Sequence, residues 1–161
     1  MSEKIAGNTL MKVKKLEDFV AEARKSVPEI FPWDLNDYLK KGNSPVLLDI
    51  REPYEFDTMH IEGSVCIPRG ILETAADSGF RDTVPWLVES RQKEIILLCR
   101  SGNRSLLAGK TLQEMGFENV RSLKTGVRGW SDFELPLVDQ NGAIVSLAVS
   151  EEYFYGKTKE Q

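Results

Sequence analysis

Two short runs near the middle of the chain are wholly apolar, and each meets a polar side chain at its end. Val46-Leu47-Leu48 leads into Asp49 and Ile50, and Ile95-Ile96-Leu97-Leu98 leads into Cys99. Apolar runs of this length without alternation suit strands buried on both faces of a parallel sheet. Behind Cys99 comes a loop over residues 100–105, Arg100-Ser101-Gly102-Asn103-Arg104-Ser105. Leu106, Leu107, Lys110, Thr111 and Glu114 then set apolar and polar positions on separate faces at helical spacing, which predicts a helix over 104–115 closed by Gly116. Cys99 is therefore expected at the carboxyl end of a central strand, with its loop opening onto a helix N-terminus. In open α/β sheets that is where ligands bind.

The flanking pattern supplies the remaining elements. Residues 1–12 are expected to fray, and Leu16, Phe19, Val20 and Ala23 predict an amphipathic helix over 13–25. Val27-Pro28 ends it, a short edge strand is expected over 29–31, and Pro32 opens a second helix that ends near Lys41-Gly42 with Leu35 and Leu39 inward. Pro53-Tyr54-Glu55-Phe56 reads as a helical turn, Val65-Cys66-Ile67-Pro68 as a strand, and 70–76 and 82–91 as short helices. Residues 119–123 predict another strand, after which Trp130 packs on the sheet and Asp132-Phe133 closes a last turn. Alternation over 143–147 suggests a strand or hairpin, and Tyr153-Phe154-Tyr155 an aromatic patch packed back on the domain. Strands alternating with helices imply an α/β domain with a mainly parallel sheet.

The chemistry of the loop follows from its place. The first N–H groups of a helix lack intrahelical partners, and the helix dipole adds partial positive charge there. Arg100 and Arg104 add two permanent charges, so a thiolate or a bound anion is favoured, and the thiolate is the nucleophilic form. Gly102 permits a positive φ that turns successive N–H groups inward, and Ser105 is expected to cap the helix through its hydroxyl. Asp49, Arg51 and Glu55 have two readings: a charged loop whose ions tie strands together, or a buried network that braces the loop arginines from behind. His60 is expected to brace a turn and Cys66 to point from its strand into the core. A single histidine and two cysteines leave no cluster for zinc and no disulfide framework.

Composition narrows the partners. The chain has 161 residues, enough for one domain with a real core, and a net charge of −4 that favours neither nucleic acid nor a membrane surface. Yet residues 99–130 hold Arg100, Arg104, Lys110, Arg121, Lys124 and Arg128 against only Glu114 and Glu118. A locally basic site in an acidic protein suits a small anionic substrate. No apolar run is long enough to span a bilayer and no signal-peptide pattern is visible, so a cytoplasmic, reducing location is expected.

Three motifs in order carry a family resemblance. The first is Leu48-Asp49-Ile50-Arg51-Glu52-Pro53-Tyr54-Glu55-Phe56, continued by His60-Ile61-Glu62-Gly63-Ser64 and Ile67-Pro68. The second is Cys99-Arg100-Ser101-Gly102-Asn103-Arg104-Ser105 behind an apolar strand, and the third Gly116-Phe117, Gly126 and Gly129-Trp130. Over residues 28–136 the chain resembles the single-domain rhodaneses, sulfurtransferases of the rhodanese homology family. The resemblance implies a rhodanese-like open, mainly parallel sheet of about five strands with helices on both faces. Residues 1–27 would be an N-terminal extension with its helix, and residues 137–161 a tail packing on the domain. It further implies that Cys99 accepts a sulfane sulfur as a persulfide. Arg100, Ser101, Gly102, Asn103, Arg104 and Ser105 would bind the substrate anion and the transferred sulfur, with Asp49, Arg51 and Glu55 in support. Met59, where the family often has glycine, and Thr125 in place of the first glycine of a pair depart from the pattern.

The implied reaction is nucleophilic catalysis in two halves. Cys99 takes the outer sulfur of thiosulfate or a low-molecular-weight persulfide such as glutathione persulfide, and a thiol, cyanide or a sulfur-carrier protein removes it. No metal and no organic cofactor is required. A persulfide carrier acting between partner proteins needs the same site. A cysteine-loop phosphatase or arsenate reductase is a more distant reading. Those loops have the pattern Cys-x5-Arg, whereas here Arg104 follows Cys99 as Cys-x4-Arg, and Leu98 stands where a histidine usually precedes the cysteine.

Overall fold

The two apolar runs lie side by side. Val46–Asp49 and Glu94–Leu98 pair in parallel, with Val46 opposite Ile95 and Asp49 opposite Leu98. The computed structural model describes residues 3–5, 8–10 and 12–156. In chain order its strands are β1 (Glu3–Ile5), β2 (Asn8–Leu10), β3 (Glu29–Ile30), β4 (Val46–Asp49), β5 (Val65–Cys66), β6 (Glu94–Leu98) and β7 (Asn119–Leu123). β3 to β7 form an all-parallel sheet in the order β3-β7-β6-β4-β5, so β6 is central. The segment expected to fray holds β1 and β2, paired antiparallel to each other and apart from this sheet.

Because successive side chains of a strand point to opposite faces, the apolar runs feed two cores. Leu48, Ile95 and Leu97 pack with Cys99 on one face, and Leu47, Ile96 and Leu98 on the other. Helices cover both faces. On the first lie α4 (Leu72–Ala75), α5 (Pro85–Val88) and α6 (Asn103–Glu114), through Leu72, Leu87, Ala108 and Leu112. On the second lie α2 (Pro32–Lys40), α7 (Gly126–Asp132) and α8 (Leu147–Tyr155), through Leu35, Val127, Trp130 and Phe154. Each fully buried Leu or Ile contributes roughly 1.5–3 kcal/mol, so the two runs alone anchor the sheet. α1 (Leu16–Arg24) packs outside α6 through Val20, Ala23 and Leu106. The chain comes close there because Gly109 has no side chain: a Cβ would meet Val27 Cγ1 at 2.8 Å.

Several expected boundaries shift for local reasons. α1 starts at Leu16, where the Asp18 carboxylate accepts the Lys15 N–H. The helix expected over 82–91 shrinks to α5: Pro85 opens it, and Arg91 beyond its end donates to the carbonyls of Val88 and Met115. The stretch 70–76 divides into a 3-10 turn, Arg69–Ile71, and α4. The expected hairpin reduces to isolated bridges that join Val138 to His60 and to Ile144. The aromatic run beyond it is helical, since Ser146 caps α8 by accepting the Val149 N–H. Among the described residues, no helix is long and apolar enough to cross a membrane.

Candidate active site

Cys99 follows directly on the last residue of β6, and its loop is fastened from behind. The Cys99 carbonyl accepts the Val127 N–H at 2.8 Å and the Arg100 carbonyl the Arg128 N–H at 3.0 Å, so the start of α7 holds the rim of the loop. That approach requires glycine. Gly126 has φ +66°, and a Cβ there would overlap the carbonyl oxygens of Cys99 and Arg100. Thr125 beside it takes φ +66° as well, so this departure from the glycine pair leaves the turn left-handed. It costs on the order of 1 kcal/mol in backbone strain. Met59, the other departure, is extended at φ −165° and needs no glycine.

The loop then turns inward onto the sulfur. Gly102, at φ +97°, occupies the cap position of α6. Its N–H donates to Cys99 Sγ at 3.0 Å, and the Ser105 N–H does so at 3.3 Å. The Ser105 hydroxyl lies 3.2 Å from the same sulfur. Ser105 is thus not the helix cap expected of it. It sits inside the first turn, because the left-handed Gly102 has already started the helix. Ser105 Oγ also reaches the Gly102 carbonyl at 3.1 Å and Ser122 Oγ at 2.6 Å. Ser122 belongs to no motif, and its only signal was a hydroxyl in the middle of a strand otherwise fit for burial.

The two loop arginines are both held. Arg104 donates Nη1 and Nη2 to the two carboxylate oxygens of Glu55, each at 3.1 Å. Glu55 also accepts the Glu52 N–H at 2.9 Å at the start of α3 (Pro53–Thr58). Burial works to raise the Glu55 pKa, but the hydrogen bonds from Arg104 and Glu52 outweigh it and hold the carboxyl below its ordinary value. Arg100 turns toward α8: its Nη2 donates to the Phe154 carbonyl at 2.8 Å, and its guanidinium lies 5.2 Å from the Phe154 ring and 5.8 Å from that of Tyr153. The last carbonyls of a helix carry partial negative charge, which suits this cation. Ser101 is half-buried, and Asn103 is exposed beside a cavity of about 520 Å³ shared with Lys15, Leu16 and Arg24 of the N-terminal region.

Behind the loop the expected carboxylate network divides in two. Glu55 braces Arg104, whereas Asp49 and Arg51 form a separate, fully buried pair at 2.8 Å that also holds the Met59 carbonyl through Arg51 Nη2. Losing one member of such a pair costs about 3–5 kcal/mol, because the other is left charged and buried. His60 does brace its turn, with Nδ1 2.8 Å from the Phe56 carbonyl and its ring stacked on Phe56. Cys66 is not in the core: it is half-buried at the end of the edge strand, opposite Asp49, and its thiol donates to the Arg51 carbonyl at 3.6 Å. Burial above all, with the Asp49 charge, pushes that thiol up to about 11. Among the described residues, no three His, Cys, Asp or Glu side chains gather as a metal site.

Known proteins resemble this chain in sequence and in fold. The model of the rhodanese-like domain matches residues 32–133. The chain is 30% identical over 119 residues to YrkF of Bacillus subtilis, provisionally designated a sulfur carrier protein, covering 74% of this chain and 59% of YrkF. It is 35% identical over 92 residues to a protein of Schizosaccharomyces pombe provisionally designated a mitochondrial thiosulfate sulfurtransferase, covering 55% of this chain and 65% of that one. The chain thus spans less than two thirds of either relative. Among solved structures, a protein of unknown function from Rhodopseudomonas palustris, for which a tyrosine phosphatase role has been suggested, superposes with a TM-score of 0.69 at 30% identity. That likeness covers 84% of this chain and 98% of the other. The chain belongs to the rhodanese-like domain family, whose members include sulfurtransferases and sulfur carriers.

Proposed function

We propose that this member of the rhodanese-like family is a sulfurtransferase that carries a sulfane sulfur on Cys99. One observation bears most of the weight: two backbone N–H groups and a hydroxyl converge on a single cysteine sulfur. Such a cradle stabilises negative charge on sulfur, as an oxyanion hole does on oxygen. In the first half-reaction the thiolate attacks the outer sulfur of thiosulfate. A Cys99–sulfur bond forms, the sulfur–sulfur bond of the donor breaks, and sulfite leaves with the electron pair. A low-molecular-weight persulfide would react in the same way and release a thiolate. In the second half, a thiolate or cyanide attacks the terminal sulfur and Cys99 leaves as thiolate. Arg100, which no carboxylate among the described residues neutralises, and the loop N–H groups would draw the anionic donor to the mouth of the loop.

Intact mass after brief exposure to thiosulfate, or to glutathione persulfide, tests this. The expected result is a gain of one sulfur that reductant removes and that Cys99→Ser abolishes. No gain with either donor would refute the proposal.

The likeness to YrkF favours a second role for the same site, a carrier that loads fully but turns over only when a partner protein collects the sulfur. Saturable thiosulfate:cyanide turnover by the isolated chain would speak for the enzyme. The phosphatase suggested for the Rhodopseudomonas protein fits less well here. The loop is one residue short of the phosphatase pattern, and Arg104, the residue that would clasp the phosphate, is engaged by Glu55.

A further inference from the structure

Ser122 stands within β7 with no exposed surface, and among the described residues its hydroxyl has one partner, Ser105 Oγ at 2.6 Å. Ser105, equally buried, has two other neighbours for its hydroxyl: the Gly102 carbonyl at 3.1 Å and Cys99 Sγ at 3.2 Å. A serine hydroxyl has one proton to give and two lone pairs to receive. Among the described residues, the hydrogen-bond acceptor for the Ser122 proton is the oxygen of Ser105. When it is given there, the proton of Ser105 is free for either the carbonyl or the sulfur. A charged sulfur is the stronger acceptor, since a hydrogen bond to an ionised group is about twice as strong as one between neutral groups.

We propose that Ser122 is a positioning residue that turns the Ser105 hydroxyl onto the Cys99 sulfur when that sulfur is ionised. Rotation about one C–O bond of Ser105 moves the proton from the Gly102 carbonyl to the sulfur, and no heavy atom shifts. The thiolate then receives three donors, two from the backbone and one from this relay. Without Ser122, the Ser105 oxygen loses the donor that orients it, and its proton stays with the carbonyl.

This inference rests on Cys99 as the working nucleophile, and its test needs no sulfur donor. The rate of iodoacetamide alkylation at Cys99, located by peptide mapping, is followed from mildly acidic to alkaline pH in the full chain. In Ser122→Ala the pH of half-maximal rate is expected to rise by about one unit, a roughly tenfold loss of reactivity below it. Ser122→Thr, which keeps the hydroxyl, returns the profile to that of the wild type. A merely structural role would lower the melting temperature or the rate at every pH without moving the midpoint. A Ser122→Ala midpoint equal to the wild type overturns the relay, as does an equal shift in Ser122→Ala and Ser122→Thr. Should the wild type take up no sulfur while Ser122→Ala still shifts the midpoint, sulfur transfer fails and the relay stands.

Discussion

The protein has two cysteines, both at the carboxyl ends of strands in one sheet, and their surroundings are opposite in sign. Cys99, at the end of the central strand, meets donors, the N–H groups of Gly102 and Ser105, with the Ser105 hydroxyl 3.2 Å away. Cys66, at the end of the edge strand, meets an acceptor, the Arg51 carbonyl, with the Asp49 carboxylate close enough to oppose ionisation. Cys99 is the more deeply buried of the two, so if Cys99 is the sulfur that reacts, as proposed, burial is not what selects it. On that proposal the direction of the dipoles aimed at the sulfur makes the difference, since donors in general favour a thiolate and acceptors a thiol. A glycine-started helix supplies the donors at Cys99. No such loop follows Cys66, where the chain continues through Ile67 and Pro68 into a 3-10 turn.

The largest test of this contrast exchanges the serine between the two positions. Cys99→Ser is expected to lower thiosulfate:cyanide turnover by at least about 1000-fold, since the covalent step is lost. Cys66→Ser should change it less than about twofold, the range of a substitution outside the site. Comparable losses in the two variants would mean that both sulfurs take part.

A second test removes the geometry and keeps the sulfur. Gly126→Ala places a methyl group on the carbonyls of Cys99 and Arg100 at a positive φ, so the loop must shift away from α7. We expect a loss of about 3 kcal/mol or more in stability by urea titration, from strain and overlap together. Turnover should fall in whatever fraction remains folded, because the donors no longer converge on the sulfur. A fully stable and active Gly126→Ala protein would show that the rim held by α7 is dispensable.

How far this contrast was legible from sequence depends on the kind of atom involved. The apolar runs located β4 and β6, and Gly102 marked a place where the chain must turn, whereas Gly126 stood only in a family motif and its close approach came from the structure. The Glu55–Arg104 pair joins two charged side chains that the sequence displays, and only their distance was missing. Arg100 was harder: its partner is the main-chain carbonyl of Phe154, and every residue has a carbonyl. α8 was missed for a related reason. Its aromatic residues serve as a packing patch in any secondary structure, and the cap at Ser146 lay beyond the motifs. Ser122 was invisible because a serine in a strand acquires meaning only from what the neighbouring strand-to-helix turn brings beside it.

A third, intermediate effect concerns Glu55. Its carboxyl is held below the ordinary carboxylate range, so the stability it confers is complete above that range and is lost as pH falls through the lowered value. Glu55→Gln should flatten this acid limb of the stability curve. It should also release Arg104 from its brace, raising the KM for thiosulfate by about threefold to tenfold, as expected for a lost charged hydrogen bond at a half-exposed arginine. An unchanged acid limb in Glu55→Gln would place the acid sensitivity elsewhere.

The smallest effect belongs to Cys66 and appears only at alkaline pH. Its folded thiol is pushed up to about 11, whereas an unfolded cysteine ionises near about 8.5. Between these values the folded state binds the proton and the unfolded state has released it, so stability falls as pH rises across that window. Cys66→Ser removes the titrating group and should lessen the alkaline decline while leaving stability near neutral pH almost unchanged. The measurement is a pair of urea titrations, one near neutrality and one above the ordinary thiol range, on wild type and variant. If the two proteins lose the same stability between these conditions, the Cys66 thiol is not held protonated by its surroundings. The opposition between an acceptor-bound and a donor-bound sulfur would then rest on Cys99 alone.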